Sequence, residues 1–285
     1  MHSIDTERFH RDGYLVLEGF VPDAECDALR DRADALVASF DPALHRSIFT
    51  TDEQARRTDD YFLDSGEAIR FFFESLALGA DGELLVAKER SINKIGHALH
   101  DLDPLFDRFS RAPRIAQLVA ALAVPAPMLL QSMYIFKQPR IGGEVRCHQD
   151  ATFLHSAKPI VGLWFALEDA TEENGCLWAA PGGHRAGLQS LFVRNADDTT
   201  TMRTLGDVTW PDAELVPLPV KKGALIVLDG LVPHMSKQNY SERSRHAYTL
   251  HVVSGEAAYP ETNWLRRKTP ARGFEVRGGA PSAKR

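Results

Sequence analysis

The stretch Glu144-Val-Arg-Cys-His148-Gln-Asp150 sets a histidine and a carboxylate one residue apart, and His234 and Arg245 follow much further along the chain. Side chains on a strand alternate with period two, so His148 and Asp150 would point to one side and offer two adjacent metal-ligand positions. A third ligand from a distant strand completes a facial set of two histidines and one carboxylate. Such a set leaves coordination positions open on a non-haem iron(II), where a co-substrate and oxygen can bind. His234 is placed for that role, because the apolar run Gly223-Ala-Leu-Ile-Val-Leu-Asp-Gly230 stops just before Leu231-Val-Pro-His234. A histidine there stands at the mouth of a barrel.

In a chain with 11 histidines, a lone His-x-Asp is more often a structural pair than a ligand set. Its context raises it: Gly142-Gly143 precedes it as a turn, and the same half of the chain supplies His234 at a strand end. Arg245 opens the alternating run Arg245-His-Ala-Tyr-Thr-Leu-His-Val-Val253, on which Arg245, Ala247, Thr249 and His251 share one face. A guanidinium presents a fork of donors matched to a carboxylate, which suits Arg245 to hold the far carboxylate of a small diacid.

These residues need a β scaffold, and after Pro127 the chain supplies one. Met128 to Lys137, Ile160 to Leu167, Cys176 to Ala180, Gly223 to Leu228 and Arg245 to Val253 are short runs rich in branched and aromatic residues. Turn signals such as Asn174-Gly175, Pro181-Gly-Gly183 and Asp229-Gly230 separate them. The first half reads as helical: Ile4 to Arg11, then Pro22-Asp-Ala-Glu25 opening a helix on which Cys26, Leu29, Ala33, Leu36, Val37 and Phe40 repeat. Helices are also expected at Asp103 to Arg111 and at Pro113 to Val124, and a strand at Tyr14 to Leu17. The aromatic run in Ile69-Arg-Phe-Phe-Phe-Glu74 reads as core, Thr50 to Asp60 as a loop, and Arg194 to Glu214 as a long loop of the kind that covers a site. Lys94 is either a buried cation or a solvated one. The expected architecture is mainly β: a double-stranded jelly roll, cupin-like, buttressed by N-terminal helices. One domain spans 1–265, helix-rich over 1–127 with its jelly-roll core at 128–255, and 266–285 reads as a basic, flexible tail.

A hydrophobic content of 44% and a charged content of 25% fit a globular chain, and the net charge of -6 argues against a nucleic-acid partner. Cys26, Cys147 and Cys176 form neither a disulfide framework nor a thiolate zinc site, which fits a reducing compartment. No signal pattern and no membrane-length apolar run is visible, so the cytoplasm is the default, no membrane partner is expected, and a monomer is the simplest state.

The triad, His234 and Arg245, in that order and at that interval, resemble the phytanoyl-CoA dioxygenase family of iron(II)- and 2-oxoglutarate-dependent oxygenases. The opening Phe9-His-Arg-Asp-Gly-Tyr-Leu-Val-Leu-Glu-Gly-Phe20, the turn Asn174-Gly-Cys-Leu-Trp178, Pro181-Gly-Gly-His184 and Lys222-Gly-Ala224 match family landmarks. Ser91-Ile-Asn-Lys-Ile-Gly-His-Ala-Leu-His100 and Gln131-Ser-Met-Tyr-Ile-Phe-Lys-Gln138 are similar to one branch of it, so the resemblance covers nearly the whole chain.

The resemblance implies His148, Asp150 and His234 as iron ligands, Arg245 as partner of the 2-oxoglutarate C5 carboxylate, and Lys94, Met133, Trp164 and Ser236 around the co-substrate. It implies Fe(II), 2-oxoglutarate and O2 as the reacting set and a small organic or acyl molecule as substrate. Two alternatives stand beside it: a 2-oxoglutarate-binding sensor with little turnover, and a cupin-type metalloenzyme using zinc or manganese, which would have no use for Arg245.

Overall fold

The computed structural model describes residues 4–43, 47–48 and 60–274. Helix α1 (Thr6–Asp12) is capped by the Asp5 side chain and closed by Gly13 in the left-handed conformation. Strand β1 (Tyr14–Leu17) follows at once. Helix α2 (Asp23–Ser39) has Asp23 and Glu25 in its first turn, where acids oppose the helix dipole, and it buries Cys26, Leu29, Ala33 and Val37 along one face.

Further strands are β2 (Ile69–Phe73), β3 (Ile92–His97), β4 (Pro127–Ile135), β5 (Val145–His148), β6 (Val161–Ala166) and β7 (Leu177–Ala179). The last seven are β8 (Ser190–Arg194), β9 (Thr200–Thr204), β10 (Val216–Leu218), β11 (Leu225–Asp229), β12 (His234–Ser236), β13 (Ala247–Ser254) and β14 (Arg272–Gly273). The large sheet runs β1-β11-β6-β13-β4-β3-β2 with β14 beside β4, and the small sheet runs β10-β7-β12-β5. All of these pairings are antiparallel.

Period-two alternation gives the large sheet two dry faces. On β6, Leu163 and Phe165 join Leu29, Phe106 and Ile115 of the helical layer, whereas Trp164 and Ala166 meet Leu177 and Ala179 of the small sheet. Fully burying a Leu, Ile or Phe side chain is worth about 1.5–3 kcal/mol, so these layers hold the sheets in register. A jelly roll results, with helices on the outside of the large sheet and a cavity between the two sheets.

Several expectations need correction. Besides the expected strand β1, the half expected to be helix-rich contributes β2 and β3 to the large sheet, and the buried Phe71, Phe72 and Phe73 that were expected in the core lie on β2. The segment 194–214 is not all loop: β9 pairs with β8, turned through Asn195 and through Asp198 at φ 61. The β-branched threonines of Thr200-Thr-Met-Arg-Thr204, with Met202 on the same face as Thr200 and Thr204, are the strand signal in an otherwise polar stretch. Residues 266–274 are pinned rather than free, since Arg267 and Arg272 bond Asp101 and β14 pairs with β4. Most of the loop expected at 50–60, and residues 275–285, lie outside the described residues. Among the described residues, no helix is long and apolar enough to cross a membrane.

Candidate metal centre

His148 ends β5 and His234 begins β12, and the antiparallel register sets them directly opposite one another. Their ring centroids are 4.4 Å apart. Asp150 does not continue the strand: it is the first residue of a helical turn, Asp150–Phe153. Gln149 between them keeps an extended backbone, φ -110 and ψ 134, so the alternation expected of a strand survives for this one step. The Gln149 side chain points away and ties Gly187, Gln189 and Leu231 together.

Ligand atoms of His148, Asp150 and His234 all lie within 4.8 Å of one another. Nε2 of His148 and Nε2 of His234 are each 3.7 Å from Asp150 Oδ1. The other ring nitrogens define the tautomers. Nδ1 of His148 is 2.8 Å from the Arg146 carbonyl and Nδ1 of His234 is 3.0 Å from the Val232 carbonyl. A carbonyl only accepts, so in both rings Nδ1 carries the hydrogen and Nε2 presents a bare lone pair toward the carboxylate. Two such nitrogens and one carboxylate oxygen fit a divalent ion bound at about 2.0–2.2 Å, and with no thiolate among them they suit iron(II).

Burial pushes the Asp150 carboxyl upward, but the neighbouring His251 and His234 outweigh it and hold the group well below the usual carboxylate range. His234 is lowered to about 4, chiefly by burial. Asp150 is therefore a carboxylate and His234 a neutral imidazole, the protonation states in which each binds metal.

A cavity of about 920 Å³ opens on this cluster. Its walls include every other residue expected at the site: Lys94, Met133, Trp164, Ser236 and Arg245. Lys94 Nζ lies 3.8 Å from the Met133 sulfur, and the Arg245 guanidinium lies 5.1 Å from the Trp164 ring centre. Lys94 is thus a buried cation, 5% exposed. Arg245 sits just before β13 rather than on it, with Nε donating to the Gly175 carbonyl at 3.0 Å. Burial lowers it to about 10. Its Nη1 is buried without a protein partner. The β8–β9 region contributes Met202, Val208 and Trp210 to the walls, so the 194–214 segment does border the cavity.

Sequence reasoning missed two residues here. His251 donates from Nε2 toward Asp150 Oδ2 at 3.2 Å, although its only visible signal was that it shares a strand face with Arg245. Lys137 is 1% exposed and lines the cavity, its Nζ donating to the Gly143 carbonyl and to Ser236 Oγ. A lysine closing the otherwise apolar run of β4 was the signal available for it.

A jelly roll whose small sheet brings two histidines and a carboxylate to one point, at a cavity between its sheets, has the architecture of non-haem iron oxygenases. The chain belongs to the phytanoyl-CoA dioxygenase family, whose family model matches residues 9–247. It is 44% identical over 272 residues to phytanoyl-CoA dioxygenase domain-containing protein 1 of Danio rerio, covering 92% of this chain and 94% of that one. It is 48% identical over 264 residues to phytanoyl-CoA dioxygenase 1 of Oryza sativa subsp. japonica, covering 92% of each. Among solved structures, the fold is similar to that of EctD from S. alaskensis in its apoform, with a TM-score of 0.64, 21% identity, and coverage of 96% of this chain and 87% of that one. It is also similar to AviO1 from Streptomyces viridochromogenes Tue57, with a TM-score of 0.59, 23% identity, and coverage of 89% and 95%. Family membership makes the protein a non-haem iron, 2-oxoglutarate-dependent dioxygenase.

Proposed function

We propose that the protein hydroxylates a C–H bond of a small organic or acyl substrate, with His148, Asp150 and His234 as the iron ligands. The balance is R–H + 2-oxoglutarate + O2 giving R–OH + succinate + CO2. Iron, when bound, supplies the coupling between decarboxylation of the 2-oxo acid and oxidation of the C–H bond. The chain's own residues bind, orient and keep the site dry.

One observation carries this reading: the buried, unpartnered Nη1 of Arg245 in the same cavity as the triad. A buried guanidinium nitrogen without an acceptor is costly, and the cost is relieved when a carboxylate arrives. A zinc- or manganese-based cupin has no need for such a group. Trp164 packs over the guanidinium and excludes water from its face, while Ser236 on β12 lines the same cavity. Ligand cavities of about 300–1,000 Å³ hold drug-sized molecules, so 920 Å³ leaves room for a substrate beside a five-carbon diacid. Every residue used comes from a single chain.

The test is the dependence of succinate release on 2-oxoglutarate in Arg245→Ala. Charge-assisted hydrogen bonds are worth about 1.5–3 kcal/mol, so the co-substrate requirement is expected to rise on the order of tenfold or more while iron content stays unchanged. An unchanged requirement would remove Arg245 from the role.

A further inference from the structure

Arg245 is not the only buried basic residue that lines the cavity with Ser236. Lys137 is equally inaccessible, at 1% exposure, and its two close bonds go to neutral oxygens: the Gly143 carbonyl at 2.6 Å and Ser236 Oγ at 3.0 Å. The acid charges near it are Glu144 and Glu74, and Glu74 is joined to it through the Gly143 peptide, whose amide donates to Glu74 Oε2 at 3.1 Å. Burial pushes that carboxyl up, toward its neutral form. Burial and the neighbouring Arg245 charge both hold Lys137 well below the usual lysine range. Gly175 lies between the two cations: its carbonyl accepts from Arg245 Nε, and a Cβ added to it would stand 2.6 Å from Lys137 Cε. Arg245 and Lys137 thus both line the cavity, and among the described residues neither has a carboxylate in direct contact. That arrangement is favourable only when an anion completes it.

The Ser236 hydroxyl shows how Lys137 acts. Lysine only donates, so Ser236 Oγ accepts from Lys137 and its own hydrogen is left to point elsewhere. We propose that Lys137 is a positioning residue for the distal carboxylate of 2-oxoglutarate, orienting the Ser236 hydroxyl toward it and supplying, with Arg245, the second positive charge that selects a diacid. This rests on the co-substrate reading given above and extends it to a residue outside the expected set.

The experiment compares two ligands that differ only in the distal carboxylate. Calorimetric binding of 2-oxoglutarate and of 2-oxopentanoate to the Fe(II)-loaded enzyme is measured without oxygen, in the wild type and in Lys137→Met. The expected result is a loss of tenfold or more for 2-oxoglutarate with 2-oxopentanoate unchanged within twofold. Ser236→Ala, a smaller change to the fold, is expected to show the same selective loss, and Lys137→Arg to restore part of the preference. Equal losses for both ligands would mean that Lys137 only holds the Gly143 turn in place, and that would overturn the proposal. Undiminished 2-oxoglutarate binding in both Lys137→Met and Ser236→Ala would also overturn it. Failure of the wild type to bind 2-oxoglutarate would instead sink the co-substrate reading, and that result is seen before any substitution is made.

Discussion

His251 grips the far side of the Asp150 carboxylate: its Nε2 lies 3.2 Å from Oδ2, while Oδ1 is left 3.7 Å from the Nε2 atoms of both His148 and His234. One oxygen is thus committed to the protein and the other to the metal position. The carboxylate is turned toward one-oxygen binding, which keeps the neighbouring positions open.

Removing that grip should weaken metal binding without unfolding the protein. Partners that orient a metal ligand are typically worth 10–100-fold in affinity, and a loss in that range is expected for His251→Leu, with His251→Gln regaining part of it. Fe(II) or Mn(II) titration of the purified variants reads this directly. Wild-type affinity in His251→Leu would show that the Asp150 rotamer is set by other contacts.

Gly162 gives a complementary test from the neighbouring strand. A Cβ at this position on β6 would stand 2.8 Å from Asp150 Oδ2, closer than carbon and oxygen tolerate, so only glycine lets the carboxylate lie against the sheet. Gly162→Ala should therefore lower metal affinity by about tenfold or more, as expected when a ligand's support is lost, with a smaller effect on folding. Equal metal affinity with a large drop in melting temperature would contradict this.

A third expectation concerns the C-terminal segment. Asp101 accepts from Arg111 at 2.7 Å, Arg267 at 2.5 Å and Arg272 at 3.0 Å, holding residues 266–274 against the helical layer. Asp101→Ala leaves the buried Arg267 without its acid, while Arg111 and Arg272 keep Asp107. Breaking such a pair costs about 3–5 kcal/mol when fully buried, and on the order of 2–4 kcal/mol here, where Arg272 is about half exposed. Trypsin should then cleave at Arg267 and Arg272 well before the core, while metal binding persists. Wild-type resistance would show that β14 pairing alone secures the segment.

Stability should also fall in mild acid. Burial is the main cause that lowers His97 well below the ordinary histidine value, His100 to about 3 and His246 to about 4. In the unfolded chain these rings take up protons near pH 6.5, so below that value the unfolded state binds more protons and stability rises with pH. Between pH 6.5 and 5.5, three such groups together remove on the order of 3 kcal/mol. Denaturant midpoints at pH 7.5 and 5.5 measure the effect, and a flat profile would mean that these rings take up protons as readily in the fold as in the unfolded chain.

Much of the site was legible because its residues sit on regular elements. His148, His234 and Arg245 flank apolar strand patterns, and the alternation that put Arg245 and His251 on one face of β13 holds in the structure. Asp150 was reached through the same alternation although it begins a helical turn, because Gln149 stays extended. The residues not read were those whose roles arise from pairing between distant segments. Nothing local shows that Lys137 meets Ser236, or that Asp101 gathers arginines from beyond residue 266. The basic tail looked solvated because its acidic partner is far away in sequence, and β9 was hidden because Met202 is the one apolar residue among its five.

The most direct test of the account is succinate formation from 2-oxoglutarate in air, with iron content determined on the same preparation, for the wild type, His234→Ala and Asp150→Ala. The wild type should hold about one iron per chain and release succinate only with Fe(II) present, whereas both variants should lose iron and turnover together, since two donors do not make a facial site. Succinate release at the wild-type rate from either variant would contradict the assignment of His148, Asp150 and His234 as the metal centre.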